Sequence, residues 1–201
     1  GWSGDPDIRH KAATGGVLTA LAIHLLESGE VEFIAHMRSP GEAPIRNVPH
    51  VSVSRDDVLA GMGSRYGPTA PLSNFMDHLE KGRPFALVAK PCDISAVRNL
   101  AKRDERVAKY CKYLLSISCG GQSTLAMTFN QMAKHDLTED ELTTFRYRGY
   151  GCPGLTTMET KSGETHTVTY LSVWSDKRNW HLPWRCKMCM DPIGEQADVI
   201  A

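Results

Sequence analysis

The chain has 201 residues, of which 41% are hydrophobic, and this is enough for one sizeable core. Its 23 basic and 23 acidic residues cancel to a formal net charge of zero, so no overall positive field predicts binding to nucleic acid or to a membrane surface. Six cysteines are too few for a disulfide-stapled secreted domain, and no apolar run is long enough to cross a bilayer. We therefore expect a cytoplasmic protein with no membrane span and no nucleic-acid partner.

The first strong helical pattern follows Thr14, Gly15 and Gly16. Apolar residues recur on one face up to Leu26, and Gly29 ends the helix. Free backbone amides at such a helix start can approach a phosphate, and the helix dipole favours its negative charge. The alternative is an ordinary capped loop with tight packing, and for an isolated Thr-Gly-Gly the residues alone favour that alternative.

The next elements are short and are separated by turn-forming residues. Alternating apolar residues predict a strand over 31–37, and a second short strand follows at 51–53. The proline-rich stretch 39–49 predicts a surface loop. Helical periodicity predicts helices over 56–62 and 71–81.

A turn-rich loop over 63–68 separates these two helices and carries one cation and one aromatic ring. Arg65 could contact a phosphate, and Tyr66 could stack on a flat ring. The alternative is that both are ordinary half-buried side chains.

Two continuous apolar runs, 85–89 and 114–118, are typical of strands that are buried on both faces. Each run is followed by a helical pattern, and this alternation predicts a parallel α/β sheet. Cys92 and Cys119 each follow the carboxyl end of one of these strands. Ligands bind at that edge in open α/β sheets, so we expect the two thiols to share one edge of the sheet.

The last third of the chain predicts a smaller β region. A capping box from Thr138 to Glu141 predicts a short helix, and residues 156–171 predict a β-hairpin around a Ser-Gly-Glu turn. Together the patterns predict an α/β fold, namely a mixed, mainly parallel sheet with flanking helices and a small β-hairpin subregion. We expect a single domain over residues 1–201.

Cys186 and Cys189 form a Cys-x-x-Cys pair, whose spacing lets both thiolates face one point, as zinc or an iron–sulfur cluster requires. The pair supplies half of a four-thiolate site, and Cys92 and Cys119 are the best candidates for the other half. Zinc would usually bring a second close pair, and single scattered cysteines fit an iron–sulfur site at least as well. The alternative is a non-catalytic α/β interaction domain with a structural four-cysteine zinc site.

Five motifs, taken in order, resemble those of the coenzyme F420 hydrogenase/dehydrogenase beta-subunit family, whose members include formate dehydrogenase beta subunits and chlorophyll(ide) reductases. Each motif is weak alone, but their order and approximate spacing match over nearly the whole chain. The resemblance implies an iron–sulfur flavoprotein oxidoreductase that passes electrons between a [4Fe–4S] cluster and FAD to reduce or oxidise a substrate such as a deazaflavin (F420). The motifs lie at residues 11–19, 63–66, 90–98, 146–149 and 186–191.

The resemblance also implies the site residues and the partners. The metal ligands that it implies are Cys92, Cys119, Cys186 and Cys189. The flavin-binding residues that it implies are Thr14, Gly15, Gly16, Thr19, Arg65, Tyr66, Lys90 and Arg148. The implied electron partner is a ferredoxin-type protein or a hydrogenase or dehydrogenase subunit, beside a small-molecule substrate, and a homo-oligomer is also compatible with the sequence.

The chain departs from the family pattern at two places. Cys152 stands in a Gly-Cys-Pro-Gly turn where several relatives have Trp, and it is a candidate catalytic thiol, an extra ligand or a packed residue. Arg146 and Arg148 would favour its thiolate if they face it. The chain also begins at Gly1 and stops at Ala201 inside an apolar run, whereas the family usually continues, so we expect a truncated C-terminal side.

Overall fold

The computed structural model describes residues 1–179 and 181–201, which form two sheets with helices around them. The strands are β1 (Phe33–Arg38), β2 (Val48–Ser52), β3 (Phe85–Ala89), β4 (Cys111–Ser116), β5 (Leu142–Arg146), β6 (Leu155–Thr160), β7 (Thr165–Thr169) and β8 (Val199–Ile200). The α-helices are α1 (Pro6–Lys11), α2 (Val17–Glu27), α3 (Arg55–Ala60), α4 (Phe75–Glu80), α5 (Pro91–Ala101), α6 (Glu105–Tyr110), α7 (Leu125–Ala133), α8 (Tyr170–Trp174) and α9 (Trp184–Lys187). Short 3-10 helices cover Ala13–Gly16, Glu139–Glu141 and Lys177–Asn179.

The larger sheet has the strand order β2-β1-β3-β4-β8. Strands β1, β3, β4 and β8 run parallel, and β2 pairs antiparallel with β1 at the edge. In the middle of the sheet, Ala35 lies opposite Leu87, and Leu87 lies opposite Leu114. The prediction of a mixed, mainly parallel sheet with flanking helices is confirmed.

Both faces of this sheet are covered, because successive side chains of a strand point to opposite faces. Phe85 and Leu87 of β3 pack in a core with α4, α5 and α6, whereas Ala86 packs in a core with α1, α2 and α3. All three side chains are 0% exposed. This burial on two sides explains the continuous apolar run in the sequence of β3.

The smaller sheet has the order β5-β6-β7 and is antiparallel throughout. Leu155 pairs with Thr169 across the predicted hairpin, which is thereby confirmed. Strand β5 adds a third strand that the sequence analysis did not predict. Phe145 of β5 and Met158 of β6 pack with Met127 of α7 in a core of their own. A single domain over residues 1–201 stays a prediction.

Several element bounds differ from the predicted ones by a few residues. The helix predicted over 71–81 begins only at Phe75, because the preceding residues form turns. The predicted loop over 39–49 gives way to strand β2 at Val48, and Pro49 is tolerated there because β2 is an edge strand. The capping box at Thr138 is present, but it opens a 3-10 turn.

The C-terminal apolar run forms β8, which is held against β4 by charged side chains. Arg98 donates to the Asp198 carboxylate at 2.6 Å, and the other oxygen of that carboxylate accepts from the Leu114 amide at 2.8 Å. In the ranges 1–179 and 181–201, we find no helix with the length and apolar character needed to cross a membrane.

Candidate functional site

A cleft of about 720 Å³ opens at the carboxyl edge of the parallel strands. His36 and Met37 of β1, Val88 and Ala89 of β3, and Ile117 after β4 line it. This is the edge at which open α/β sheets bind their ligands, because the strands end there and the loops that follow them are free to vary.

The turn before α2 borders the cleft with an unusual backbone. Thr14, Gly15 and Gly16 have φ values of 53°, 70° and 73°, in the left-handed region. At Gly16 a Cβ atom would lie 2.7 Å from Ile8 Cγ2, so only glycine fits without a shift. Thr14, Gly16 and Thr19 line the cleft, whereas Gly15 is not among the lining residues and packs against Trp2.

Arg65 brings a positive charge into the cleft without a counter-charge. Its Nε donates to Asn47 Oδ1 at 3.2 Å, and its Nη2 donates to the Gly61 carbonyl at 3.4 Å. No carboxylate forms an ion pair with it within the described ranges. Burial, reinforced by Arg146 and Arg38, lowers the pKa of Arg65 to about 10. An anion in the cleft would therefore stabilise this guanidinium.

Lys90 also lines the cleft, but its charge is already compensated. Its ammonium group lies 2.6 Å from the Asp93 carboxylate and donates to Thr69 Oγ1 at 2.7 Å. Both partners come from the fold itself, so Lys90 offers less to an incoming anion than Arg65 does.

An aromatic wall, formed by Tyr66, Tyr170 and Trp174, lines the cleft together with Arg148. The rings of Tyr66 and Trp174 meet edge to face, with centroids 4.8 Å apart. The Arg148 guanidinium lies 5.6 Å from the Tyr170 ring centroid. Its buried Nε has no hydrogen-bond partner among the described residues. A buried donor without a partner is costly, so a bound ligand that accepts this hydrogen bond would be favoured.

Cys92 and Cys119 occupy equivalent positions on neighbouring parallel strands. Ala89 of β3 lies opposite Ser116 of β4, and each cysteine follows three residues later. Burial raises the pKa of the Cys92 thiol, and Asp93 and Cys119 act in the same direction. Cys119 lines the cleft, whereas Cys92 is exposed and is not among the lining residues.

The Cys-x-x-Cys segment lies beside the loop that carries Cys119. Cys186 is on α9, and the Cys189 amide donates to the Cys186 carbonyl at 3.3 Å. The Cys119 amide donates to the Pro192 carbonyl at 2.7 Å, which joins the two segments. Within the described ranges, no three His, Cys, Asp or Glu residues lie close enough to hold one metal ion. The ligand role of the four cysteines stays a prediction.

Cys152 lies away from these groups. It is exposed and is not among the residues that line the cleft. Arg146 lies over the Tyr150 ring at 4.5 Å, and Arg148 lies over the Tyr170 ring. Both guanidinium groups thus have aromatic neighbours, and a catalytic role of Cys152 stays a prediction without a geometric partner.

Sequence reasoning missed several polar residues of the cleft, among them His36, Asn47 and Gln122. His36 Nε2 lies 2.7 Å from Ser52 Oγ, and burial together with His50 and nearby arginines lowers the pKa of His36 to about 4. Asn47 Nδ2 and Gln122 Oε1 are buried without hydrogen-bond partners in the described part of the chain. Asn47 and Gln122 are single polar residues in loops and His36 is a single polar residue within a strand, so no repeated spacing in the sequence singled them out.

Comparisons with known proteins agree on one family. Residues 1–77 match the family model described as the N-terminal part of the coenzyme F420 hydrogenase/dehydrogenase beta subunit. Residues 82–201 match the model of its C terminus. Among solved structures, the F420-reducing [NiFe] hydrogenase complex from Methanosarcina barkeri contains a chain with a TM-score of 0.73 and 21% identity, covering 98% of this chain and 66% of that one.

Two curated proteins are also similar. The F420-dependent formate dehydrogenase 1 subunit beta of Methanococcus maripaludis is 31% identical over 118 residues, which cover 58% of this chain and 30% of that protein. The F420-dependent formate dehydrogenase subunit beta of Methanocaldococcus jannaschii is 22% identical over 201 residues, which cover 97% of this chain and 50% of that protein. This chain therefore spans half or less of the length of these two relatives.

Proposed function

Because the chain belongs to the coenzyme F420 hydrogenase/dehydrogenase beta-subunit family, we propose that it passes electrons between a [4Fe–4S] cluster and FAD within an oxidoreductase complex. A deazaflavin of the F420 type is the proposed small-molecule substrate, since the similar proteins are named for it. An oxidoreductase role in general follows from the family itself.

The observation that carries this proposal is the uncompensated charge of Arg65 in a cleft at the carboxyl edge of the sheet. A dinucleotide brings a pyrophosphate, whose negative charge would offset the buried guanidinium. The start of α2 borders the same cleft, where backbone amides and the helix dipole favour a phosphate. The residues present therefore fit FAD.

The flat parts of the dinucleotide would bind along the aromatic wall. Tyr66 and Tyr170 offer apolar ring surface, and Arg148 supplies a buried Nε donor that lacks a partner in the described part of the chain. Thr19 and Lys90 also belong to the polar lining of the cleft, and Asp93 forms an ion pair with Lys90.

Cys92, Cys119, Cys186 and Cys189 would hold the cluster through four thiolates. When bound, the cluster supplies one-electron transfer and the flavin links it to two-electron chemistry. A cluster of four irons is larger than one metal ion, so its ligands are more widely spaced than those of zinc. The loop that follows β4 carries Cys119 and lines the cleft, which gives the two groups a common wall.

We further propose that another subunit covers the cysteine segment. Trp184, Met188 and Met190 around the cysteine pair are largely exposed, and exposed apolar groups of this size mark interaction sites. The similar proteins are named as subunits of hydrogenases and formate dehydrogenases.

None of the six cysteines forms a disulfide, which is typical of a reducing compartment such as the cytoplasm.

The test is an ultraviolet–visible spectrum of the protein purified without oxygen, combined with iron, sulfide and flavin assays. We expect a brown protein with about four iron and four sulfide per chain, as a [4Fe–4S] cluster requires, together with bound flavin. A colourless protein with stoichiometric zinc would contradict the proposal and favour the structural zinc alternative.

A further inference from the structure

Gln122 lies in the wall of the cleft, three residues after Cys119, and its side-chain carboxamide has an unused hydrogen-bonding atom. Its Oε1 is buried and has no hydrogen-bond partner among the described residues. The terminal torsion of a glutamine is broad, so rotation of the carboxamide can turn either its oxygen or its nitrogen toward the cleft. An unsatisfied group of this kind is expected where a ligand completes the hydrogen bonds.

The loop around Gln122 is anchored on both sides. The Gly121 amide donates to Cys119 Sγ at 3.4 Å, and a Cβ at Gly121 would lie 3.0 Å from Leu182. On the other side, Ser123 is buried and its hydroxyl contacts Met127 Sδ at 3.4 Å. The residues on both sides of Gln122 therefore already have contacts within the fold before any ligand binds, which lowers the entropy cost of binding.

The strand order separates Gln122 from the cationic part of the cleft. Arg65 bonds to Asn47, which precedes β2 at the edge beyond β1, whereas Gln122 follows β4. Strands β1 and β3 lie between β2 and β4, so the two sides of the cleft are about 14 Å apart at a strand spacing of about 4.8 Å. Phosphates favour the Arg65 side, and the redox-active ring must lie near the cysteines on the Gln122 side.

We propose that Gln122 binds the polar edge of the flavin ring and so determines ring recognition. This inference rests on the proposed function. The edge of an isoalloxazine carries an imide N–H between two carbonyl oxygens, and a primary carboxamide offers one donor and one acceptor to match it. Arg65 and Gln122 would then bind opposite ends of the flavin mononucleotide portion and orient its ring toward Cys119.

The experiment is a titration of the flavin-free protein with riboflavin, FMN and FAD, for the wild type and for Gln122→Leu. If Gln122 contacts the ring, Gln122→Leu should weaken the binding of all three flavins by the same factor, about tenfold for one lost hydrogen-bonded pair. Arg65→Ala is the matched comparison, and it should weaken FMN and FAD while leaving riboflavin unchanged. Gln196→Leu, at an exposed position, should change none of them.

A second variant keeps the test decisive if Gln122→Leu does not fold. Gln122→Glu has the same shape, but its carboxylate only accepts, so it should also weaken all three flavins and make the flavin midpoint potential more negative. Unchanged affinities in both variants, or a loss confined to FAD, would overturn the role of Gln122. A wild-type protein that binds none of the three flavins would instead contradict the proposed function.

Discussion

The cleft edge of the larger sheet and the cysteine segment around α9 are held in place in different ways. The cleft is built on strands whose central residues are fully buried, so its shape is set before any ligand binds. In the cysteine segment Trp184 is 74% exposed and Met190 is 98% exposed, and few apolar contacts hold it. A substitution in the preformed cleft should therefore lower the affinity for its ligand, whereas the weakly packed cysteine segment depends on its ligand for order.

The largest effect is expected in the cysteine segment. Cys186→Ser or Cys189→Ser should abolish the iron–sulfur absorbance, because a thiolate ligand is lost and little else holds the segment. Strand β3 and its neighbours should keep their structure, since their packing is independent of it. Iron content and circular dichroism measure the two effects.

Cys111→Ala serves as the control for this loss. Cys111 is buried in the core of the larger sheet, and burial raises the pKa of its thiol to about 12, so it is not an available ligand. This variant should keep its iron. Full iron content in Cys186→Ser would mean that the cluster assignment is wrong.

The next effect concerns the preformed edge of the cleft. Gly16→Ala should lower the free energy of unfolding by about 2–4 kcal/mol, because a left-handed backbone and a contact with Ile8 both oppose the added Cβ. Gly163 also has a positive φ of 89° but faces open space, so Gly163→Ala should lose only about 1–2 kcal/mol. Urea denaturation compares the two, and equal losses would show that the Ile8 contact has no role.

A smaller effect distinguishes Arg65 from Lys90, two of the cations that line the cleft. Arg65→Ala should weaken FAD binding by about ten- to a hundredfold, because the uncompensated guanidinium is removed. Lys90→Ala should weaken it less, since the Asp93 carboxylate already balances Lys90. Fluorescence titration measures both affinities. A larger loss in Lys90→Ala would place the phosphates near β3 instead.

The last effect is a pH dependence that arises from His36. Burial holds the pKa of His36 at about 4, below its unfolded value of about 6.5, so the unfolded state binds the proton more readily. Stability from this group is therefore complete above about pH 6.5 and is lost as the pH falls toward 4, by about 3 kcal/mol.

The variant His36→Asn should flatten this part of the stability profile, as measured by denaturation between pH 4 and 7. His24 is exposed, and His24→Asn is the matched control that should leave the profile unchanged. An identical slope in wild type and His36→Asn would show that other groups cause the acid loss.

The parallel sheet and the position of Cys92 and Cys119 at its edge could be predicted from the amino-acid sequence. A strand buried on both faces must be apolar throughout, and the carboxyl ends of parallel strands meet at one edge, so these features follow from local patterns. The hairpin of β6 and β7 could be predicted for the same reason, because its turn residues and alternation are local.

Tertiary contacts, by contrast, determine which polar groups face the cleft and which already have hydrogen-bond or ionic partners. The charge of Lys90 is balanced by Asp93, that of Arg65 has no carboxylate partner in the described part of the chain, and Gln122 lies beside Cys119. Strand β5 was missed because a register shift between Leu142 and Thr144 breaks its alternation, so that its buried residues Leu142 and Phe145 are three positions apart. These properties depend on which distant segments meet, and the free energy of a buried charge or amide is set by those neighbours rather than by residue type.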